Sequence, residues 1–202
     1  MKFNFLLASL LIVGAIVAEE PGRAAKTVEL PLIVAPGFKE PLDSSFSIGK
    51  GSWTPADGVL VAEEVAADKH VAVLHHNVGL SAAVIECEFK LEGSPAFLVG
   101  CDGKKGHIGR VVVKGGSVEI AEDSTKASHV IATLKMPVAQ NEWHHLRVEW
   151  TGDAMVAILD DQKLEAKDPY FANAKSRTWL AVPKTKTEVR KLTIRGEKTE
   201  AK

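Results

Sequence analysis

Two groups of charged residues carry the side chains best suited to chemistry. Glu86 and Glu88 stand two apart, with Glu92 further on. A retaining glycosidase needs a nucleophile and an acid on one face, about 5 Å apart. Residues two apart in a strand share a face, so the pair is a catalytic candidate, with His145 as a further acid or base. The plainer alternative is a solvated strand face on which these carboxylates pair with cations such as Lys90. Arg110, His107, Arg147 and Glu149 are candidates for binding, because planar guanidinium and carboxylate groups suit sugar hydroxyls.

The seven histidines raise the question of a metal. In a regular strand, the neighbours in His75-His76 and in His144-His145 point to opposite faces, so neither pair can chelate one ion. No spacing specifies a zinc site built from His75, His107 and His145. Asp102, Asp123 and Asp153 read as turn residues more readily than as surface calcium ligands. The expectation is no metal and no cofactor. A Gly-x-Ser-x-Gly elbow and a glycine-rich phosphate loop are both missing from the sequence, which removes the serine-hydrolase and nucleotide-binding readings.

Strands must position these residues. From Thr27 onward, short β-branched runs alternate with turn residues, from 28–34 to 188–194, and no segment has a convincing helical period. The Ala- and Glu-rich stretch 62–69 reads as a loop with at most one helical turn. Gly115-Gly116 predicts a type I′ hairpin turn, and Asp160-Asp161 and Gly152-Asp153 are weaker signals of the same kind. Consecutive hairpins imply an antiparallel meander. On the run from His144, Leu146, Val148 and Trp150 take the core side, while His145, Arg147 and Glu149 take the other. That polar side, with Glu86 and Arg110, is expected to line one concave sheet. Trp53, Trp143, Trp150 and Trp179 are expected mainly in the core, with at most one exposed, and Tyr170 in a loop.

The same alternation places the cysteines. Ile85, Cys87, Phe89 and Leu91 alternate with Glu86, Glu88 and Lys90, and Phe97, Val99 and Cys101 repeat the pattern. A hairpin turning over 92–96 sets Leu91 opposite Phe97, Phe89 opposite Val99 and Cys87 opposite Cys101. The two cysteines are then either a cross-strand disulfide or two buried free thiols.

The N-terminus predicts export. Lys2 precedes an apolar run over 5–17, and Ala18 stands before Glu19-Glu20-Pro21, as at a signal-peptidase site. The expected organisation is a signal peptide over 1–18, an exposed leader over 19–26, one sandwich domain over 27–196 and a frayed tail over 197–202. The protein is expected to be secreted or periplasmic, with no membrane span after cleavage. Lys and Arg number 25 against 26 Asp and Glu, without clustering of either sign, so nucleic acid is not an expected partner.

Three stretches go beyond generic β pattern. Gly51-Ser52-Trp53-Thr54-Pro55-Ala56-Asp57-Gly58-Val59-Leu60 resembles the opening hairpin of concanavalin-A-like domains of the 3-keto-disaccharide hydrolase-like group. Trp143-His144-His145-Leu146-Arg147-Val148-Glu149, then Gly152-Asp153 and Val156 to Asp161, is similar to a strand pair of the same group. Gly106-His107-Ile108-Gly109-Arg110-Val111 resembles a strand of its exported, planctomycete-type bacterial members, often called family-16-like glycoside hydrolases. Asp161 departs from the pattern, which usually has Gly there. The resemblance implies an all-β jelly-roll sandwich of two antiparallel sheets with a saccharide as partner. A laminarinase-type enzyme of this fold carries Glu-x-Asp-x-x-Glu, and that motif is missing here. Three expectations follow: a saccharide-binding or saccharide-processing module, a hydrolase of 3-keto-glycosides, or a structural or adhesion domain of the cell envelope.

Overall fold

The computed structural model describes residues 29–125 and 127–199. The expected signal peptide and leader lie outside the described residues. In chain order the strands are β1 (Leu32–Val34), β2 (Phe46–Lys50), β3 (Ser52–Ala56), β4 (Val59–Glu63), β5 (Ala72–His76), β6 (Leu80–Glu92), β7 (Ala96–Gly103) and β8 (Gly106–Lys114). There follow β9 (Ser117–Glu122), β10 (His129–Lys135), β11 (His144–Thr151), β12 (Ala154–Leu159), β13 (Gln162–Lys167), β14 (Arg177–Val182) and β15 (Lys186–Lys198). One sheet runs β13-β12-β11-β6-β15-β4-β3, with β1 also paired to β15, and the other runs β10-β9-β8-β7-β14-β5-β2. All pairings between these strands are antiparallel, so the chain is a two-sheet jelly-roll sandwich. Among the described residues, no helix is long and apolar enough to cross a membrane.

Apolar alternation builds the core. Ile85, Cys87, Phe89 and Leu91 of β6 face Phe97, Val99 and Cys101 of β7 across the sandwich, all buried in one cluster with Trp53 and Trp150. The expected hairpin between these strands does not form. β6 pairs with β11 and β15, and β7 with β8 and β14, so the two lie in opposite sheets. The connection crosses from sheet to sheet through Gly93, at φ 89°, and the buried Ser94. The Ser94 hydroxyl shares its hydrogen bond between the carbonyls of Ala96 and Pro183. Two apolar faces can meet side by side in one sheet or face to face across a core, and alternation alone does not distinguish them. Here Phe89 and Phe97 stack across the core with centroids 4.8 Å apart.

Turn chemistry shows the same limits. Lys114 and Ser117 do close a two-residue hairpin around Gly115-Gly116, yet neither glycine has positive φ. Their carbonyls instead accept hydrogen bonds from the backbone of Val138 and Met136, so the turn is shaped to receive the segment after β10. The left-handed pair is Asp160-Asp161, at φ 45° and 69°, where aspartate replaces the glycine of the resembled pattern. The opening hairpin β3–β4 turns over Asp57 and Gly58 as the resemblance implies. Strand β2 has no counterpart among the expected runs. The stretch 62–69 holds one short 3-10 turn, Ala66–Asp68. The tail stays paired further than expected, since Gly196, Glu197 and Lys198 continue the ladder with β6.

Cys87 and Cys101 are free, buried thiols on opposite sheets, not cross-strand neighbours. Burial pushes both well above the ordinary cysteine range, which makes them unreactive. Native protein should therefore not react with a thiol-selective reagent, whereas the denatured chain should titrate two thiols. A non-reduced intact mass short of two hydrogens would contradict this assignment.

Candidate functional site

The polar residues expected on one face divide between two. Glu86, Glu88, His145, Arg147 and Glu149 lie on the outer face of the sheet containing β6 and β11, whereas His107 and Arg110 lie on β8 in the other sheet. The division follows directly from the crossing between β6 and β7.

On the β6 face, the carboxylates are held by cations. Glu86 accepts from His145 Nε2 at 2.8 Å and from Arg147 Nη1 at 2.9 Å, and Arg147 Nε donates to Glu149 at 2.7 Å. Glu88 accepts from Arg190 and Lys191, and Lys90 lies between Glu92 and Glu188, 2.7 Å from each. Burial acts to raise the pKa of Glu86, but its bonds to His145 and Arg147 prevail and hold it below the usual carboxylate range. The hydrogen bond from Lys191, the largest influence, does the same for Glu88 against the opposing effect of burial, with Arg190 adding to it. Neither carboxyl is kept protonated to serve as a general acid. Trp143 is covered here by the Arg190 guanidinium, 3.9 Å from its ring centroid. This face is an interlocked charge ladder.

The other face holds a different arrangement. His75, Trp179, Gly100 and Arg110 are successive register partners across β5, β14, β7 and β8. Trp179 is only 4% exposed, although it lies on this outer face and outside the core cluster. Its indole lies flat over Gly100, where an added Cβ would fall 2.2 Å from the ring, so only glycine fits beneath it.

Asp102 organises this face. Its Oδ1 accepts from His107 Nδ1 at 2.6 Å and from Trp179 Nε1 at 2.8 Å, and its Oδ2 accepts from Arg177 Nε at 2.6 Å. The carboxylate is 4% exposed, so burial opposes its charge. The bonds from His107 and Arg177, with the positive charge of Arg177, outweigh burial and keep it ionised below its ordinary value of 3.8. Arg110 lies 6.0 Å from the Trp179 ring and grips Asp123 through Nε at 3.1 Å and Nη2 at 2.5 Å. His75 completes the row, and burial, then the charge of Arg177, lowers its pKa and favours the neutral ring.

A cleft of about 460 Å³ opens beside this cluster, lined by His107, Arg110, Asp123 and Tyr170 with Lys105 and Ser124 at its sides. The 3-10 turn Pro169–Ala172 carries Tyr170 into place, capped by Asp168, whose side chain accepts from the Tyr170 N–H at 2.7 Å. The structure thus brings the expected His107 and Arg110 together with Asp102, Asp123, Arg177 and Trp179. Asp102 and Asp123 read in sequence as turn residues, and Arg177 falls in no motif. The available signal was their spacing: Asp102 falls two residues after Gly100, opposite in phase to the core positions Val99 and Cys101, and Arg177 falls two before Trp179. Among the described residues, no group of three or more His, Cys, Asp or Glu side chains is placed to hold a metal ion.

No family profile matches the chain, and no curated protein is detectably similar in sequence. Solved structures share the fold. The non-specific endo-β-1,3(4)-glucanase SCLam of family GH16 superposes with a TM-score of 0.61 at 11% identity, over 83% of this chain and 92% of that one. An apo transglycosylase gives 0.59 at 11% identity, covering 85% and 88%. The carbohydrate-binding module CBM66 from Bacillus subtilis gives 0.54 at 18% identity, covering 76% and 92%.

Replacing Asp102 with Asn should cost on the order of 2 kcal/mol, less than for a fully buried ion pair because Arg177 and His107 remain partly hydrated. The carboxylate has a lower pKa folded than unfolded, so its contribution is present above pH 3.8 and lost as pH falls through the folded value. The acid limb of Tm against pH should therefore be shallower in Asp102→Asn than in the parent. Equal limbs would show that Asp102 is not held as described.

Proposed function

We propose that this protein binds a saccharide in the cleft beside Trp179, on the outer face of the sheet that carries β7, β8 and β14. The observation that carries this reading is the Asp102 hub. It fixes His107 and Arg177 on a rigid sheet beside a concave, polar and partly aromatic space of about 460 Å³. Such a site offers preorganised donors to hydroxyl groups and apolar carbon to a sugar face. The shared fold with a carbohydrate-binding module, a glucanase and a transglycosylase supports the same reading. The N-terminal run behind Lys2 supports action outside the cytoplasm, and N-terminal sequencing of the exported protein should begin at Glu19.

A glycan array spanning plant, algal and bacterial polysaccharides should give defined hits with the purified protein. Arg110→Gln should weaken the strongest hit about tenfold, the effect of one lost charge-assisted hydrogen bond, while Glu86→Gln on the opposite face leaves it unchanged. Silence across the array would remove the proposal, and sensitivity to Glu86→Gln alone would move the site to the β6 face.

A second reading is favoured by one detail. His107 gives Nδ1 to Asp102 and lines the cleft with its ring 53% exposed, and Nε2, on the far side of the ring, has no partner among the described residues. A histidine oriented by a carboxylate in this way can act as a general base. The 3-keto-glycosides named by the sequence resemblance are the substrates to try. Hydrolysis of a 3-keto-disaccharide that disappears in His107→Gln but survives Glu86→Gln would establish catalysis, and no sugar release by the parent protein would leave binding alone.

A further inference from the structure

The charges around the cleft are sorted by depth. The nearby acids are inside and occupied: Asp102, Glu122 and Asp123 are all buried. Asp102 holds His107, Arg177 and Trp179, and Asp123 holds Arg110. Glu122 accepts from the Ser124 N–H at 2.7 Å and from His129 Nδ1 at 2.7 Å. Asp168, on the Tyr170 side, spends an oxygen on the Tyr170 N–H.

The bases are outside. Lys104 and Lys105 form the exposed tip of the β7–β8 hairpin, whose ladder ends at Gly103 and Gly106. Arg177 is 41% exposed, and its Nη1 and Nη2 have no hydrogen-bond partner among the described residues once Nε is given to Asp102. Arg110, with Nε and Nη2 given to Asp123, lines the cleft together with Lys105. What the site shows to solvent is positive, although the whole chain carries a formal net charge of −1. Buried carboxylates hold the guanidinium groups in fixed orientations, which lowers the cost of ordering them around an incoming anion.

We infer that the ligand of this cleft is an acidic saccharide, one bearing a carboxylate or a sulfate ester, whose anionic group sits against Arg110 and Lys105, with Arg177 extending the positive face along Asp102. This inference rests on the saccharide reading of the same cleft and adds the charge of the ligand to it. A neutral sugar would need only hydroxyl-matching groups, and the lysine-tipped hairpin would have no role in holding it. The β6 face gives the internal contrast: there Glu86, Glu88, Glu92 and Glu188 are interleaved with their cations along the surface, and no comparable layer of exposed bases over buried acids is formed.

The test is titration calorimetry of the purified protein against three sets of oligosaccharides of matched length: uronate oligomers, sulfated galactans, and neutral glucans, xylans and galactans. At least one acidic set should bind about tenfold or more tightly than every neutral one, and its affinity should fall as salt is raised past physiological ionic strength. Lys105→Gln, a substitution at an exposed turn position that leaves the fold intact, should weaken acidic binding several-fold, and Arg110→Gln should weaken it further. Preference for the uronate or the sulfated set identifies which anion the site takes. Neutral oligosaccharides binding as tightly as acidic ones, or acidic binding indifferent to both salt and Lys105→Gln, would overturn the inference while leaving the saccharide reading in place. Failure of every set to bind would overturn both.

Discussion

The crossing between β6 and β7 is the constraint on which the rest of the molecule depends. Both strands carry a run of apolar residues at every second position, and both must bury that side. Because Gly93 and Ser94 carry the chain from one sheet to the other, the two apolar sides meet face to face and form the core. The outward sides are then as far apart as the sandwich allows. One becomes the ladder of Glu86, Glu88 and Lys90, and the other becomes the floor formed by Gly100 and Asp102. A hairpin at the same place would have put all of these side chains on one surface.

The two outer faces show two ways of keeping charge on a sheet. On the β6 face Glu86, Glu88, Glu92 and Glu188 pair with cations near the surface, where water and salt screen the pairs and each contributes little, while the Arg147–Glu149 pair is buried. On the β7 face the carboxylates of Asp102, Glu122 and Asp123 are taken below the surface and must be satisfied, since an unpaired buried charge is very costly. Asp102 meets that demand by collecting donors from three side chains, Arg177 and Trp179 on the neighbouring β14 and His107 on β8 of its own hairpin, which is also what makes the site rigid. The demand placed on the buried acid orders the groups that face solvent.

Much of this was legible in the residues. The period-2 alternation identified an all-β chain, the inward faces of β6, β7 and β11, and the meander through β8, β9 and β10, while the two-sheet class was implied by the family resemblance. His107 and Arg110 were marked as binding candidates from their strand. Alternation assigns a side chain to a face of its own strand but says nothing about which sheet that strand joins, so the split between Arg110 and Arg147 was hidden. Asp102 was hidden for a related reason: its partners Arg177 and Trp179 are distant in sequence, and aspartate beside glycine also reads as a turn. The short edge strand β2, with Gly49 and exposed Ile48, lacks the β-branched run that marks the others.

Gly100 has a consequence for how a protein of this kind diverges. The indole of Trp179 rests on bare backbone, so any side chain at residue 100 displaces the ring and with it the donor to Asp102. The floor is in that sense frozen. The walls are not, because Lys104, Lys105, Ser124 and Thr125 belong to loops that can lengthen, shorten or change charge without disturbing a ladder. Lineages descended from such a chain would explore new ligands by rewriting the rim above an inherited base, keeping tryptophan over glycine as the unchanging mark of common origin.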